Sequence, residues 1–587
     1  MNYDFESIPN RSNCGSVKWE SASGASIEQV PLSTADMEFP MAPEIAEGMA
    51  EYARNSIYGY TKPTQPYYDA VCGWMSRKHN WETKSEWIVT TPGVVYALGL
   101  TIEALSAPGD SVIVITPVYY PFDLTVLAKG RNIEYTTLKL EGTKYTIDME
   151  DLERKAAKPE CSLLLFCNPH NPVGRVWTPE ELKEVVDICD RNNVIIIDDE
   201  IHHDLVMPGY EHTVMATVSE RAQQICVVCT APSKTFNLAG LQGSNIFIAD
   251  PVLRGKVRAT ETLDIINELN CFSYKATELA YTRCDAWLDE LIDVIAGNAK
   301  YIRRFMAEYY PEITVFPLEG TYLLWLDMRA FGIPHKELEK LMKEDAHLYL
   351  DEGYIFGPAG RGFERINLAC SRATLEKSMV RFRNAVEAKK AEWDKSGKPF
   401  HQTLAVGEKI ADFSYENAYE KHDSFLASVK TPTILLFSRY YACPLCQAVM
   451  AEYKKAWPQL KEKNIDLRIV LQSPQTSVAP SAGQFPFELI CDSKAELYDK
   501  FNVFEADDVA HFIDKKFVQA SGGSLRDLAM ALYTEQGGQQ SEGREYQVPA
   551  VFLLDTDGMI LYSHYGQSVS DLPEINDIVK VLEDKER

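Results

Sequence analysis

Five short apolar runs constrain this chain more than any other feature: "SVIVIT" (111–116), "SLLLFC" (162–167), "NVIIIDD" (193–199), "ICVVCT" (225–230) and "GSNIFIA" (243–249). None of them alternates apolar with polar residues. Strands that read this way are buried on both faces, so the expectation is a mostly parallel α/β sheet covered by helices on both faces. The segment "TPEELKEVVDICDRN" between two of the runs supplies one such helix, with Thr178 as N-cap and Pro179 in the first turn.

At 587 residues the chain exceeds what one core holds. After Gly357 come a short strand and a long charged helix, then "DKSGKPFHQ", whose small and polar residues suit a linker. A second strand–helix pattern follows: "TPTILLFS", "CQAVMAEYKKAWPQLKEKN", "DLRIVLQ" and "YQVPAVFLLDTDGMILYSH". The expected division is a first domain over 1–392, a linker over 393–402 and a second domain over 403–587, with "TEQGGQQSEGRE" as a mobile loop. A formal charge of −26 argues against a nucleic-acid surface. No apolar run approaches the ~20 residues a membrane span needs. "MNYDFESIPNRSN" lacks the basic start and apolar centre of a signal peptide. Thirteen cysteines, an odd number set mostly inside apolar runs, suit reduced thiols in the cytoplasm.

Polar residues recur where the runs end, which is where open α/β sheets bind ligands. "TTPGVVYAL" turns at Gly93 into a helix start whose free N–H groups suit a phosphate. "CNPHNPVG" places Asn171 in a Pro-rich turn. "DDEIHHD" leaves Asp199 and Glu200 at the end of an apolar strand, and "APSKTF" leaves Ser233 and Lys234 at the end of another. Each has an ordinary explanation by itself. Together, a desolvated lysine able to form a Schiff base with an aldehyde, and a carboxylate for a pyridinium nitrogen, meet the needs of pyridoxal phosphate (PLP).

The ordered set "TPGVVYAL", "TPVYYPF", "CNPHNPVG", "DDEIHHDL", "APSKTFNLAGLQ" and "INLACSR", with "RSNCGSVKWE" and "STADMEFPMAP" before it, resembles the fold-type I PLP enzymes. More narrowly it resembles the carbon–sulfur β-lyases of the MalY/PatB, cystathionine β-lyase-like group, over roughly residues 1–392. The resemblance implies the fold-type I transferase architecture, with a small C-terminal α+β subdomain. It implies that Lys234 carries PLP, that Asp199 pairs with the ring nitrogen and that Asn171 bonds the phenolic oxygen. Tyr119, or Tyr120 if the register slips, should stack on the ring. Val94, Val95 and Ser233 should hold the phosphate, and Arg372 should clamp the substrate carboxylate. Tyr60 matches a tyrosine that reaches the phosphate from the other subunit of a homodimer. The implied reaction converts an S-substituted cysteine to a thiol, pyruvate and ammonia. The same residues serve transamination, so an aminotransferase with an accessory redox domain is the alternative. A PLP-binding regulatory protein is a third reading, against which the intact residue set weighs.

In the second domain, Cys443-Pro-Leu-Cys446 opens a helix after a strand, where the dipole and free N–H groups favour a thiolate. Arg439 nearby adds to that. Cys443 is the expected attacking thiol and Cys446 the resolving one. Two buried thiols or half a zinc site are the other readings. Zinc would want a second ligand pair, and the only later cysteine is Cys491, so no metal site is expected. Residues 403–587 resemble the redoxins, the AhpC/TSA and thioredoxin-like families, which implies a thioredoxin-like α/β fold. Val548-Pro549 resembles the cis-proline strand of that fold. Tyr440 departs from the Thr or Ser that peroxidatic enzymes carry three residues before the reactive cysteine. That puts peroxide reduction in question and favours a thiol–disulfide reductase or an atypical peroxiredoxin-like protein, served by an external thiol reductant.

Overall fold

The apolar runs form one seven-stranded sheet: β1 (Ile88–Thr91), β2 (Ser111–Thr116), β3 (Asn132–Thr137), β4 (Cys161–Cys167), β5 (Ile195–Asp199), β6 (Cys226–Thr230) and β7 (Ser244–Phe247), in the order β1-β7-β6-β5-β4-β2-β3. The computed structural model describes residues 2–22, 24–264, 268–331, 333, 335–396, 404, 406–501, 503, 505, 544, 546–566 and 568–585. They divide into two units, 1–398 and 399–587. The patch at 534–545, apart from Arg544, and the expected linker beyond Ser396 lie outside the described residues.

Neighbouring strands of the large sheet run parallel except β7, which is antiparallel to β1 and β6. Adjacent residues of one run enter two different cores. Val112, Leu163 and Val227 pack on one face, while Ile113, Leu164 and Val228 pack on the other. Both faces are therefore covered, as the unbroken apolar runs require. Helix α1 (Gln65–His79) buries Trp74, and α2 (Val94–Leu105) buries Ala97 and Leu98. Helix α3 (Pro179–Arg191) starts on the Thr178 cap, reciprocated by the Glu181 side chain, with Pro179 at its first position.

A second, antiparallel sheet holds β8 (Thr314–Val315), β9 (Leu323–Asp327), β10 (Asp351–Glu352) and β11 (Phe363–Asn367), in the order β8-β9-β11-β10. A long helix, residues 372–396, follows β11. The return from β10 to β11 depends on two glycines. A Cβ at Gly353 would lie 2.1 Å from the Gly360 carbonyl oxygen, and one at Gly360 would lie 2.0 Å from the Gly353 carbonyl oxygen. Hydrogen alone fits at both, and the turn sets Asp351 opposite Arg365.

The second unit has its own seven-stranded sheet of β12 (Tyr415–Asn417), β13 (Lys421–His422), β14 (Thr433–Phe437), β15 (Asp466–Leu471), β16 (Glu488–Cys491), β17 (Ala550–Leu554) and β18 (Ile560–Tyr565), ordered β13-β12-β16-β15-β14-β17-β18. Its centre, β14 to β16, is parallel. Ile434 and Leu436 face one core, Leu435 and Phe437 the other. Among the described residues, cis peptide bonds precede Pro117, Pro169 and Pro172. The bond before Pro549 departs from the cis expectation.

Gly353→Ala should destabilise the first unit by about 1–3 kcal/mol, because backbone atoms rather than a mobile side chain must give way. The midpoint of urea unfolding checks this; an unchanged midpoint would mean the turn has room.

Candidate active sites

At the carboxyl edge of the large sheet, the strand ends enclose a cavity of about 230 Å³. The end of β5 brings Asp199, and the turn after β4 brings Asn171. The end of β2 leads to Tyr119 and Tyr120, and the end of β1 leads through Gly93 to Val94 and Val95. After β6, the short helix α4 (Pro232–Thr235) carries Ser233 and Lys234 to the same wall. Gly93 has φ 95°, a left-handed conformation that glycine tolerates, and no side chain caps the first turn of α2. The first turn of α2 therefore has N–H groups without a side-chain cap, and its Val94 and Val95 line the cavity together with Ser233.

The Lys234 Nζ donates a 2.7 Å hydrogen bond to the Ala35 carbonyl. Burial lowers its pKa; Asp36 and Asp199 pull it back up, and Arg365 adds to the fall. Burial likewise pushes Asp199 up to about 7, against the Ile201 N–H and the nearby lysine charge. Burial raises Tyr119 to about 12. The sheet thus holds an amine and a carboxylate whose pKa values are both drawn toward neutrality.

Sequence reasoning missed several residues that line the cavity, among them Arg365, Asp351 and His202. Arg365 donates from Nη1 to the Asn171 Oδ1 at 2.7 Å and pairs with Asp351 through Nη2. His202 is buried, and its Nδ1 has no hydrogen-bond partner. Burial, then the Lys234 and Arg365 charges, keep its imidazole neutral. The signals were present: His202 follows Asp199 by three residues, and Arg365 immediately precedes "INLACSR".

Arg372 is not among the residues lining this cavity. Its Nε donates to the Asn298 Oδ1 at 2.9 Å, and its guanidinium lies over the Tyr301 ring at 4.8 Å. Strand β11 delivers Arg365 to the cavity; seven residues later the chain has turned into the next helix. The structure therefore moves the arginine expected at the cavity from Arg372 to Arg365. Tyr60 is fully exposed within its own chain and does not reach the cavity.

In the second unit, Cys443 is the N-cap of helix α5 (Pro444–Glu462), and Cys446 lies in its first turn. Both thiols are buried. An Nη1 of Arg439 donates to the Cys443 Sγ at 3.9 Å. The Cys446 thiol is held well above its ordinary pKa, first by its hydrogen bond to Cys443 and then by burial. That pattern leaves Cys446 protonated beside its partner.

Residues 27–382 match the aminotransferase class I and II family, and the chain belongs to it. Residues 406–563 match the AhpC/TSA family, so a redoxin domain follows on the same chain. Among curated relatives, cystathionine beta-lyase PatB of Bacillus subtilis is 39% identical over 65% of this chain and 100% of its own. Protein MalY of Escherichia coli is 30% identical over 66% of this chain and 99% of its own. Among solved structures, cystalysin from Treponema denticola, which contains a pyridoxal 5'-phosphate cofactor, superposes with a TM-score of 0.65 at 42% identity, over 66% of this chain and 100% of that one.

A carboxylate whose folded pKa is raised holds an extra proton between its unfolded value and the raised one, so stability falls as pH climbs through that window. For Asp199 the window runs from about 4 to about 7. In ligand-free protein, Asp199→Asn should reduce the stability lost between pH 4 and pH 8 by about 1–3 kcal/mol. Urea unfolding across pH checks this, and parallel curves for both proteins would refute it.

Proposed function

We propose that the first unit is a PLP-dependent carbon–sulfur lyase. It would convert S-substituted cysteines of the cystathionine type to a thiol, pyruvate and ammonia. The observation that carries this is a buried lysine amine facing a buried carboxylate in one cavity, with an uncapped helix start beside them. The residues fit PLP at each of its functional atoms. Lys234 would hold the aldehyde carbon, Asp199 the ring nitrogen and Asn171 the phenolic oxygen. Tyr119 would lie on the ring, while the first turn of α2 with Ser233 would hold the phosphate. Bound there, PLP supplies an electron sink for the pair released at the substrate Cα.

The chain's own groups do the rest. Arg365, positioned by Asn171 and Asp351, receives the substrate carboxylate through charge-assisted hydrogen bonds. That orients the amino acid with its Cα hydrogen toward Lys234. The lysine, its pKa lowered by burial, removes this proton at Nζ and holds it close to the departing sulfur. The sulfur leaves with the C–S electron pair and takes up a proton. The relatives named as cystathionine beta-lyases support a sulfur leaving group. The exposed Ile57, Tyr58 and Tyr60 support a homodimer in which Tyr60 serves the second subunit's cavity.

The second unit would act as a dithiol reductant. Cys443, as thiolate, attacks one sulfur of a disulfide or persulfide and displaces the other as a thiolate. Cys446 then displaces the bound sulfur, closing a Cys443–Cys446 disulfide that an external thiol reduces. Among the described residues no disulfide joins any of the thirteen cysteines, which supports a reducing compartment such as the cytoplasm.

Lys234→Ala should lose the visible absorbance of bound PLP and at least about a hundredfold of pyruvate release. Arg365→Gln should raise KM about ten- to a hundredfold, while Arg372→Gln keeps KM within about twofold. The reverse order would return the carboxylate clamp to Arg372. Cys443→Ser should abolish disulfide reduction and leave pyruvate release unchanged. A variant that still reduces disulfides would remove Cys443 from the role.

A further inference from the structure

One residue beyond Lys234, the Thr235 hydroxyl donates at 2.7 Å to the Oδ2 of Asp204. The Asp204 side chain is only 1% exposed. Its Oδ1 accepts from the Trp74 Nε1 at 2.8 Å and from the His79 Nε2 at 2.7 Å, and lies 3.3 Å from the His203 Nε2. No lysine or arginine pairs with Asp204 among the described residues; its ion-pair partners are these two histidines. Hydrogen bonds from Trp74, Thr235 and His79 offset part of the cost of burying this carboxylate, and a cation beside it or a metal on it would offset more.

The hydrogen bonds of His203 sharpen the choice. Its Nδ1 lies 2.5 Å from the Glu200 carbonyl oxygen. A carbonyl oxygen only accepts, so Nδ1 carries the hydrogen, and Nε2 of the neutral ring is a bare lone pair. That lone pair faces the Asp204 carboxylate oxygen, and Nε2 makes no hydrogen bond. Two buried acceptors at this distance repel unless something positive stands between them. The three ligand atoms, His79 Nε2, His203 Nε2 and Asp204 Oδ1, lie within 4.8 Å of one another.

We propose that these three atoms bind a divalent transition metal of zinc's class, which displaces the proton that His79 Nε2 donates to Asp204. Two imidazoles and a carboxylate suit such an ion. A ring N–H donated to a backbone carbonyl, as His203 donates to Glu200, is the usual support of a metal-bound histidine. The ion would join the end of α1 to the loop after β5. Through Asp204 and Thr235 it would also brace the short helix that carries Lys234. It is a structural site, separate from the cavity. No ligand spacing announces it in the sequence, because His79 lies far from the "HHD" segment along the chain.

The Cys443/Cys446 pair offers a second place for zinc, so the test uses a Cys443→Ser/Cys446→Ser background. After zinc loading and dialysis, elemental analysis should find about one zinc per chain. In His203→Gln it should find less than about a tenth of that. Cobalt in place of zinc should give visible ligand-field bands in the parent protein, and chelation should lower its unfolding temperature but not that of His203→Gln. A parent protein that retains no zinc and shows no cobalt bands overturns the proposal and leaves Asp204 held by Trp74, Thr235 and His79 alone. Equal zinc in His203→Gln overturns it too. Should that variant fail to fold, the cobalt spectrum of the parent decides. None of these readouts depends on lyase activity.

Discussion

Removing one ammonium group from water is the constraint around which the first unit is built. Lys234 sits where strand β6 leaves the core, and burial works against its charge. Asp199, at the end of the neighbouring strand, suffers the opposite penalty. Each group moderates the other's shift, so the pair is tolerated where either alone would be expensive. Parallel strands place both at one edge of the sheet, because every strand that supplies them points the same way.

The lysine's hydrogen-bond acceptor comes from the N-terminal segment, which forms a wall of the cavity. The Ala35 carbonyl receives Lys234 and also the Tyr322 hydroxyl, at 2.7 Å. On either side, the Asn367 Nδ2 donates to the carbonyls of Thr34 and Asp36, and the Thr34 N–H donates to Asp351. Asn237 exchanges two hydrogen bonds with the Met37 backbone. The buried Lys18–Glu38 ion pair, at 2.8 Å, anchors the same stretch from behind. Leu32, Met37 and Phe39 of the same stretch are buried in the apolar core, and these hydrogen bonds add polar anchors that would be costly to bury unmatched.

How much of this could be read in the linear sequence follows the same physics. Lys234, Asp199, Asn171 and Ser233 were legible because each interrupts or ends an apolar run, where a polar residue is conspicuous. The sheet was legible because unbroken runs allow little else. Arg365 was not, because it lies inside a strand of the second sheet and acts through a fold-back that periodicity does not describe. Arg372 carried the same chemistry a few positions on and drew the assignment to itself. Tyr60 has no partner within one chain, so neither its sequence context nor its surroundings here define it. His79 and Asp204 meet only through the packing of α1 against the sheet's loops.

The polar wall has a consequence for how the protein is made. Residues 34–37 leave the ribosome before the groups that fasten them, Asn237, Tyr322, Asp351 and Asn367, which are translated up to 333 positions later. Until the ribosome has delivered Asn367, this segment has no complete place to dock. The buried amine of Lys234 therefore receives its final surroundings only when most of the first unit has left the exit tunnel, so a prematurely terminated chain would have the lysine but not its enclosure.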